Sequence, residues 1–177
     1  MPAVAEQKLS IEEFHARYDG HKPYYEYWNG KAFQKSAATL LHGRIQGILL
    51  RLLDGIGYVS APEVTLKLDP AYEPIPDVIT IDGAIGDPYP TSPFEVVIEI
   101  LSPDDSFSRV LRKCRLYEQW GIRQILVIDP AERLVWRFEN GAPRETDVIA
   151  RRGEQAITAQ ALWDEVDHEL SRASGKA

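Results

Sequence analysis

A glutamate in the stretch FEVVIEILSPDD, Glu99, is surrounded by Val96, Val97, Ile98, Ile100 and Leu101. An apolar, β-branched run of this kind fills a strand buried on both faces. An unpaired ionised carboxylate there costs many kcal/mol, so it must be protonated, paired or metal-bound, unless it sits at the strand's end and reaches solvent or an arginine. Asp77, in EPIPDVITID, opens a second apolar run of Val78, Ile79 and Ile81, and Pro76 fixes the approach of the chain to it. Two carboxylates converging from neighbouring strands are what a hard, oxygen-seeking cation such as Mg²⁺ requires. Lys113 follows SPDDS on an expected helix whose core stripe is Val110, Cys114 and Tyr117. Its amine is directed along the buried side toward the sheet, where it could hold or deprotonate an attacking water and neutralise a phosphate. The alternative is a lysine that lays its stem on apolar surface and leaves its charge in water.

The elements that must position these groups follow from local patterns. Ser10 and Glu13 have the spacing of a capping box and predict a first helix bearing Ile11 and Phe14. Tyr24 to Trp28 and Ala32 to Gln34 read as a hairpin turned at Asn29-Gly30. Leu40, Leu41, Ile45, Ile48, Leu49, Leu52 and Leu53 recur at helical spacing and predict a long helix over Thr39 to Asp54, ended by Gly55. Strands are expected at 57–61, 63–68, 77–82, 95–101, 124–128 and 134–138, and a final helix from Ala159 to about Leu170. The order implies an α/β (α+β) fold, a central sheet with helices packed on it.

The chain has 177 residues, 44% of them hydrophobic, which suits one domain over residues 1–170 followed by a polar tail at 171–177. No apolar stretch approaches the roughly 18 residues of a membrane span, and the first ten residues lack a signal-like apolar core, so a cytoplasmic protein with no membrane partner is expected. Cys114 is the single cysteine, which excludes an intramolecular disulfide and a cysteine-based zinc site. The net charge of −7 has the wrong sign for binding nucleic acid by bulk electrostatics. Local charge differs: Arg109, Arg112, Lys113, Arg115 and Arg123 face one acid, Glu118, within the same short segment. That run predicts weak, salt-dependent DNA contact, or simply a solvated helix face. Tyr24, Tyr25, Tyr27 and Trp28 crowd one hairpin, which points to an exposed aromatic surface and a homodimer unless the long helix covers it.

PDVITID, EVVIEILSPDD and RKCRLYEQWGIRQILVIDP, in this order and spacing, resemble the Uma-type restriction endonuclease family, a branch of the PD-(D/E)XK nuclease superfamily. LSIEEF, YYEYWNGKAFQKSAATLLHG and RLVWRFENG extend the resemblance over most of the chain. It implies a restriction-endonuclease-like fold and a metal-dependent DNA endonuclease. By it, Asp77 takes the role of the first acid and Glu99 the second, both ligating Mg²⁺ or Mn²⁺. The superfamily's usual lysine lies two residues after the second acid, where this chain has Leu101; Lys113 would send its amine to the same place from the helix. Arg109 stands where many relatives carry an acid. His42 matches the family's histidine and is a candidate supporting or phosphate contact, or a packing histidine. Arg109, Arg112 and Tyr117 are further candidate contacts, and Asp129 is either functional or a turn residue. His15, His21 and His168 show no ligand spacing and read as surface. The competing function is a catalytically inactive, dimeric interaction or regulatory module of nuclease fold, favoured by the acidic charge and by Leu101. Hydrolysis of another phosphate ester would use the same site.

Overall fold

The computed structural model describes residues 8–81 and 88–173. Helix α1 (Ile11–Tyr18) starts at the expected capping box: Ser10 Oγ accepts from the Glu13 backbone N–H, and Glu13 Oε2 accepts from that of Ser10 at 2.8 Å. Strands β1 (Tyr25–Trp28) and β2 (Lys31–Gln34) are joined by Asn29 and Gly30, both at positive φ (45° and 89°). Two consecutive positive φ values match the right-handed twist of a hairpin, which Asn-Gly supplies with least strain. Helix α2 (Leu40–Gly55) is capped by Thr39, whose side chain accepts from the His42 backbone N–H.

After α2 come β3 (Val59–Pro62), β4 (Tyr72–Glu73), β5 (Val78–Ile81), β6 (Val96–Ile100), α3 (Phe107–Gln119), β7 (Gln124–Asp129) and β8 (Leu134–Glu139). Then follow β9 (Ala142–Glu145), β10 (Val148–Arg152), β11 (Gln155–Thr158) and α4 (Ala159–Ala173). A six-stranded mixed sheet has the order β3-β5-β6-β7-β8-β9, and β6 and β7 form its parallel pair. Helix α3 makes the crossover between them, because parallel neighbours need a long connection. A second sheet, β2-β1-β4, and the β10-β11 ribbon complete the fold.

Strand alternation gives the central sheet two cores. Val96, Ile98 and Ile100 of β6 pack with Ile45, Ile48 and Leu49 of α2 and Leu162 and Trp163 of α4. Val97 packs on the opposite side with Val110, Cys114 and Tyr117 of α3. Glu99 shares the parity of Val97, so its side chain belongs to the α3 layer.

Several expectations are corrected. Residues 63–68 form no strand: β3 stops at Pro62, which lacks a ladder donor, and Glu63 turns the chain at φ 51°. The aromatic hairpin is not an exposed surface. Tyr27 and Trp28 are buried, and the cover comes from α1 and β4 rather than the long helix, with Phe14 against Tyr27 (5.2 Å between ring centroids) and Tyr72 against Trp28 (5.7 Å). Crowded aromatics therefore carry no argument for a dimer. His15 is no free surface residue, since its Nε2 lies 2.9 Å from Glu73 Oε2, while His21 and His168 are exposed. Helix α4 continues to Ala173, into the expected tail, and residues 1–7, 82–87 and 174–177, which include Asp82 and the tail's end, lie outside the described residues.

Candidate active site

Pairing of β5 with β6 sets Val78 opposite Ile98, and one step along this antiparallel register brings Asp77 beside Glu99. Asp77 stands just before β5, with its Oδ2 accepting the Ile100 backbone N–H at 2.6 Å. Lys35, directly after β2, donates to Asp77 Oδ1 at 2.5 Å, and the Gln46 amide of α2 donates to the Asp77 carbonyl at 2.8 Å. The aspartate is thus fixed by three elements.

Glu99 is held from α3. Lys113 and Tyr117 are one helical turn apart on the same face, so both reach it. Tyr117 Oη donates to Oε1 at 2.6 Å, and Lys113 Nζ lies 2.8 Å from the carboxylate. The same ammonium is 2.8 Å from Glu26 Oε1, on β1. Glu99 is 5% exposed and Lys113 5%, so neither the strand-end glutamate nor the lysine with its charge in water describes this chain. His42 is also buried; its Nδ1 is 3.1 Å from Ser102 Oγ, and its Nε2 faces Asp77 Oδ1 at 3.3 Å, outside hydrogen-bond geometry.

Glu26, Lys35, His42, Asp77, Glu99 and Lys113 line one cavity of about 30 Å³, room for a water or a small ion. Arg109 reaches its rim, where it donates to Asp105 at 3.3 Å. Arg112 and Arg115 are exposed on α3 away from the lining, and Arg123 lies past the helix end. Of the basic run, Arg109 and Lys113 line the cavity and Arg112, Arg115 and Arg123 do not. Asp129 is a turn residue, its Oδ1 accepting the backbone N–H of Ala131 and Glu132.

The Uma2 family, described as "putative restriction endonuclease", matches residues 11–167. The chain belongs to this family. Its fold is similar to that of a "putative nuclease belonging to DUF820" from Anabaena variabilis, with a TM-score of 0.72 and 19% identity over 89% of this chain and 99% of that one. No curated relative matches.

Electrostatics in this Uma2 chain follow from one cation serving two acids. Burial pushes Glu99 up to about 7, against the pull of Lys113, and the neighbouring carboxylates of Asp77 and Glu26 push the same way. Asp77 is also penalised by burial, yet His42, Lys35 and Lys113 outweigh that and hold it ionised, below the ordinary carboxylate range. Burial disfavours the charge on Lys113, but Glu26, Glu99 and Asp77 overcome it and keep the amine protonated. Tyr117 is pushed well up, first by burial and then by Glu99, which keeps it a hydrogen-bond donor.

Could these residues hold a metal? Asp77 and Glu99 supply hard oxygen donors at one cavity, where His42 Nε2 faces the Asp77 carboxylate. Among the described residues no group of three acids, histidines or cysteines is arranged to hold an ion. That donor set fits Mg²⁺, which is commonly held by one or two carboxylates and keeps much of its water.

Two cavity residues escape the sequence reading. Glu26 sits between Tyr25 and Tyr27 in a strand, so the argument applied to Glu99, an acid in an otherwise apolar run, could have found it. Lys35 follows the hairpin and carries no local signal; only the fold brings it to Asp77.

Proposed function

We propose that this Uma2 chain is a metal-dependent endonuclease that hydrolyses phosphodiester bonds in DNA. The observation that carries the proposal is the joining of Asp77 and Glu99 in one buried cavity with the Lys113 ammonium 2.8 Å from Glu99. Asp77 and Glu99 would hold Mg²⁺ or Mn²⁺, which when bound would polarise a phosphodiester and acidify water for attack. Lys113, kept charged by its neighbours, orients the attacking water and neutralises charge developing on the phosphate rather than taking a proton. With Glu99 engaged as a ligand, the proton of the attacking water passes to solvent. Tyr117 fixes Glu99 in place, and His42 supports Asp77. Arg109, at the rim, is the basic residue of the run best placed to meet a backbone phosphate.

The test is plasmid nicking at low salt with Mg²⁺ or Mn²⁺, comparing wild type with Glu99→Gln purified in parallel. Metal-dependent nicking by the wild type and its loss in Glu99→Gln is the expected result. Nicking by both proteins, or by neither, defeats the proposal. A second function, an inactive nuclease-fold module, is favoured by one observation: each carboxylate already has a lysine within ion-pair distance inside the protein. Mn²⁺ separates the two, since a metal site predicts a rise in Tm that Asp77→Ala abolishes, and a scaffold predicts no response.

A further inference from the structure

Arg123, past the end of α3, joins a different constellation. The Gln124 side chain, at the start of β7, clasps the β10 backbone: its amide donates to the Arg151 carbonyl at 2.9 Å, and its carbonyl accepts the Arg151 N–H at 2.8 Å. This clasp fixes Arg151 beside Arg123. Arg137 comes from β8, where it pairs with Leu126 two residues along β7. The three arginines, distant in sequence, line one open groove of about 560 Å³, with Glu95 the only acid among its described lining residues. That volume lies within the range of small-molecule sites.

The groove is not part of the acid-lysine cavity. Gln124 and Arg137 share the parity of Leu126 and Val135, which face the α2/α4 core, whereas Glu99 faces α3. The groove also lies at the opening end of β7, and the cavity at the closing end of β6. Among the described residues, the guanidinium groups of Arg123 and Arg151 make no hydrogen bond or ion pair, and that of Arg137 is engaged through a long contact of 3.4 Å to the Val148 carbonyl. Guanidinium stays charged at any physiological pH and presents forked donors that match phosphate oxygens two at a time. Three such groups against one carboxylate leave an unmet excess of positive charge in a protein whose net charge is −7.

We propose that Arg123, Arg137 and Arg151 form a phosphate-ester binding site separate from the acid-lysine cavity. The phosphate can belong to a free nucleotide-like anion or to a nucleic-acid backbone, and two probes distinguish these sources. Both are used on the full chain in EDTA, where no metal-dependent cleavage can occur, so the outcome is independent of the nuclease proposal. Calorimetry with inorganic pyrophosphate is compared between wild type and Arg123→Gln/Arg151→Gln; both side chains are exposed, and an unchanged Tm verifies folding. A weakening of about tenfold or more in the double variant supports a small-anion site. Binding of a labelled DNA duplex, with a salt slope that falls by about two in the double variant, assigns the phosphates to a backbone. If wild type binds neither probe, or the double variant binds both as wild type does, the proposal is overturned.

Discussion

Replacing Glu99 by glutamine tests the central electrostatic argument without requiring any activity. The substitution keeps the shape, leaves the Tyr117 hydroxyl an oxygen to donate to, and removes the carboxyl group whose proton affinity the cavity raises. In the folded protein Glu99 titrates at about 7, against an ordinary value of 4.5. The folded state therefore holds this proton more tightly than the unfolded chain does. The resulting stabilisation is fully present below 4.5 and is lost as pH rises through about 7. At ~1.4 kcal/mol per pH unit across that interval, the loss is roughly 3 kcal/mol. Asp77 does not confuse the result: its value is lowered, so its contribution is constant above its ordinary 3.8 and disappears only in stronger acid. Urea unfolding followed by tryptophan fluorescence, between about pH 5 and about pH 8 in EDTA, gives the two stability curves. The wild type should lose a few kcal/mol over that range relative to Glu99→Gln. Parallel curves would refute the reasoning, because they would mean that Lys113 satisfies Glu99 fully and that sharing it with Glu26 has no cost.

Lys113→Met should destabilise by about 3–5 kcal/mol in urea unfolding, since it leaves Glu26 and Glu99 buried without their cation. Adding Glu26→Gln to that variant should recover part of the loss, and independent, additive effects would count against a shared cation. Trp28→Ala should cost roughly 3–5 kcal/mol, with no change in the elution volume on size exclusion, because the ring packs internally on Phe33 and Tyr72. A shift in elution would restore the dimer surface that the packing removes.

Patterns with strong local physics were legible in the sequence. Ser10 and Glu13 marked α1, Asn29-Gly30 marked the hairpin, and the leucine and isoleucine spacing marked α2. Glu99 was legible because a carboxylate in an apolar strand demands a partner, and Lys113 because it shares a helix stripe with Tyr117. What escaped was decided by long-range contact. The β9, β10 and β11 strands are short and mostly exposed, so no alternating pattern announced them. Residues 63–68 carry β-formers, yet Leu66 is committed to a backbone bond with Pro74 instead of a ladder. Lys35 looks like an ordinary surface lysine until β2 is placed against Asp77. Arg123 is a similar case: nearness in sequence placed it with α3, but Gln124 ties its neighbourhood to β10.

The cavity's composition bears on function through its energetic cost. Glu26, Asp77 and Glu99 are buried together with Lys113, beside the partly buried Lys35, and desolvating such a cluster is repaid only by good geometry within it. Well-packed apolar residues of similar volume are commonly neutral or stabilising replacements for such clusters. Folding alone therefore gives no reason for this arrangement, especially as the surrounding sheet already has continuous apolar cores on both faces. The incomplete satisfaction is specific: one ammonium divided between Glu26 and Glu99, and a buried imidazole nitrogen with no hydrogen bond. Both defects point into the same small space. A bound cation would relieve the raised proton affinity of Glu99. The Mn²⁺-dependent rise in Tm and the pH slope of the apo protein are accordingly linked: if Glu99 is a ligand, Mn²⁺ should flatten the slope between about pH 5 and about pH 8 as it raises Tm. A rise in Tm that leaves the slope intact would place the ion elsewhere and remove Glu99 from the ligand set.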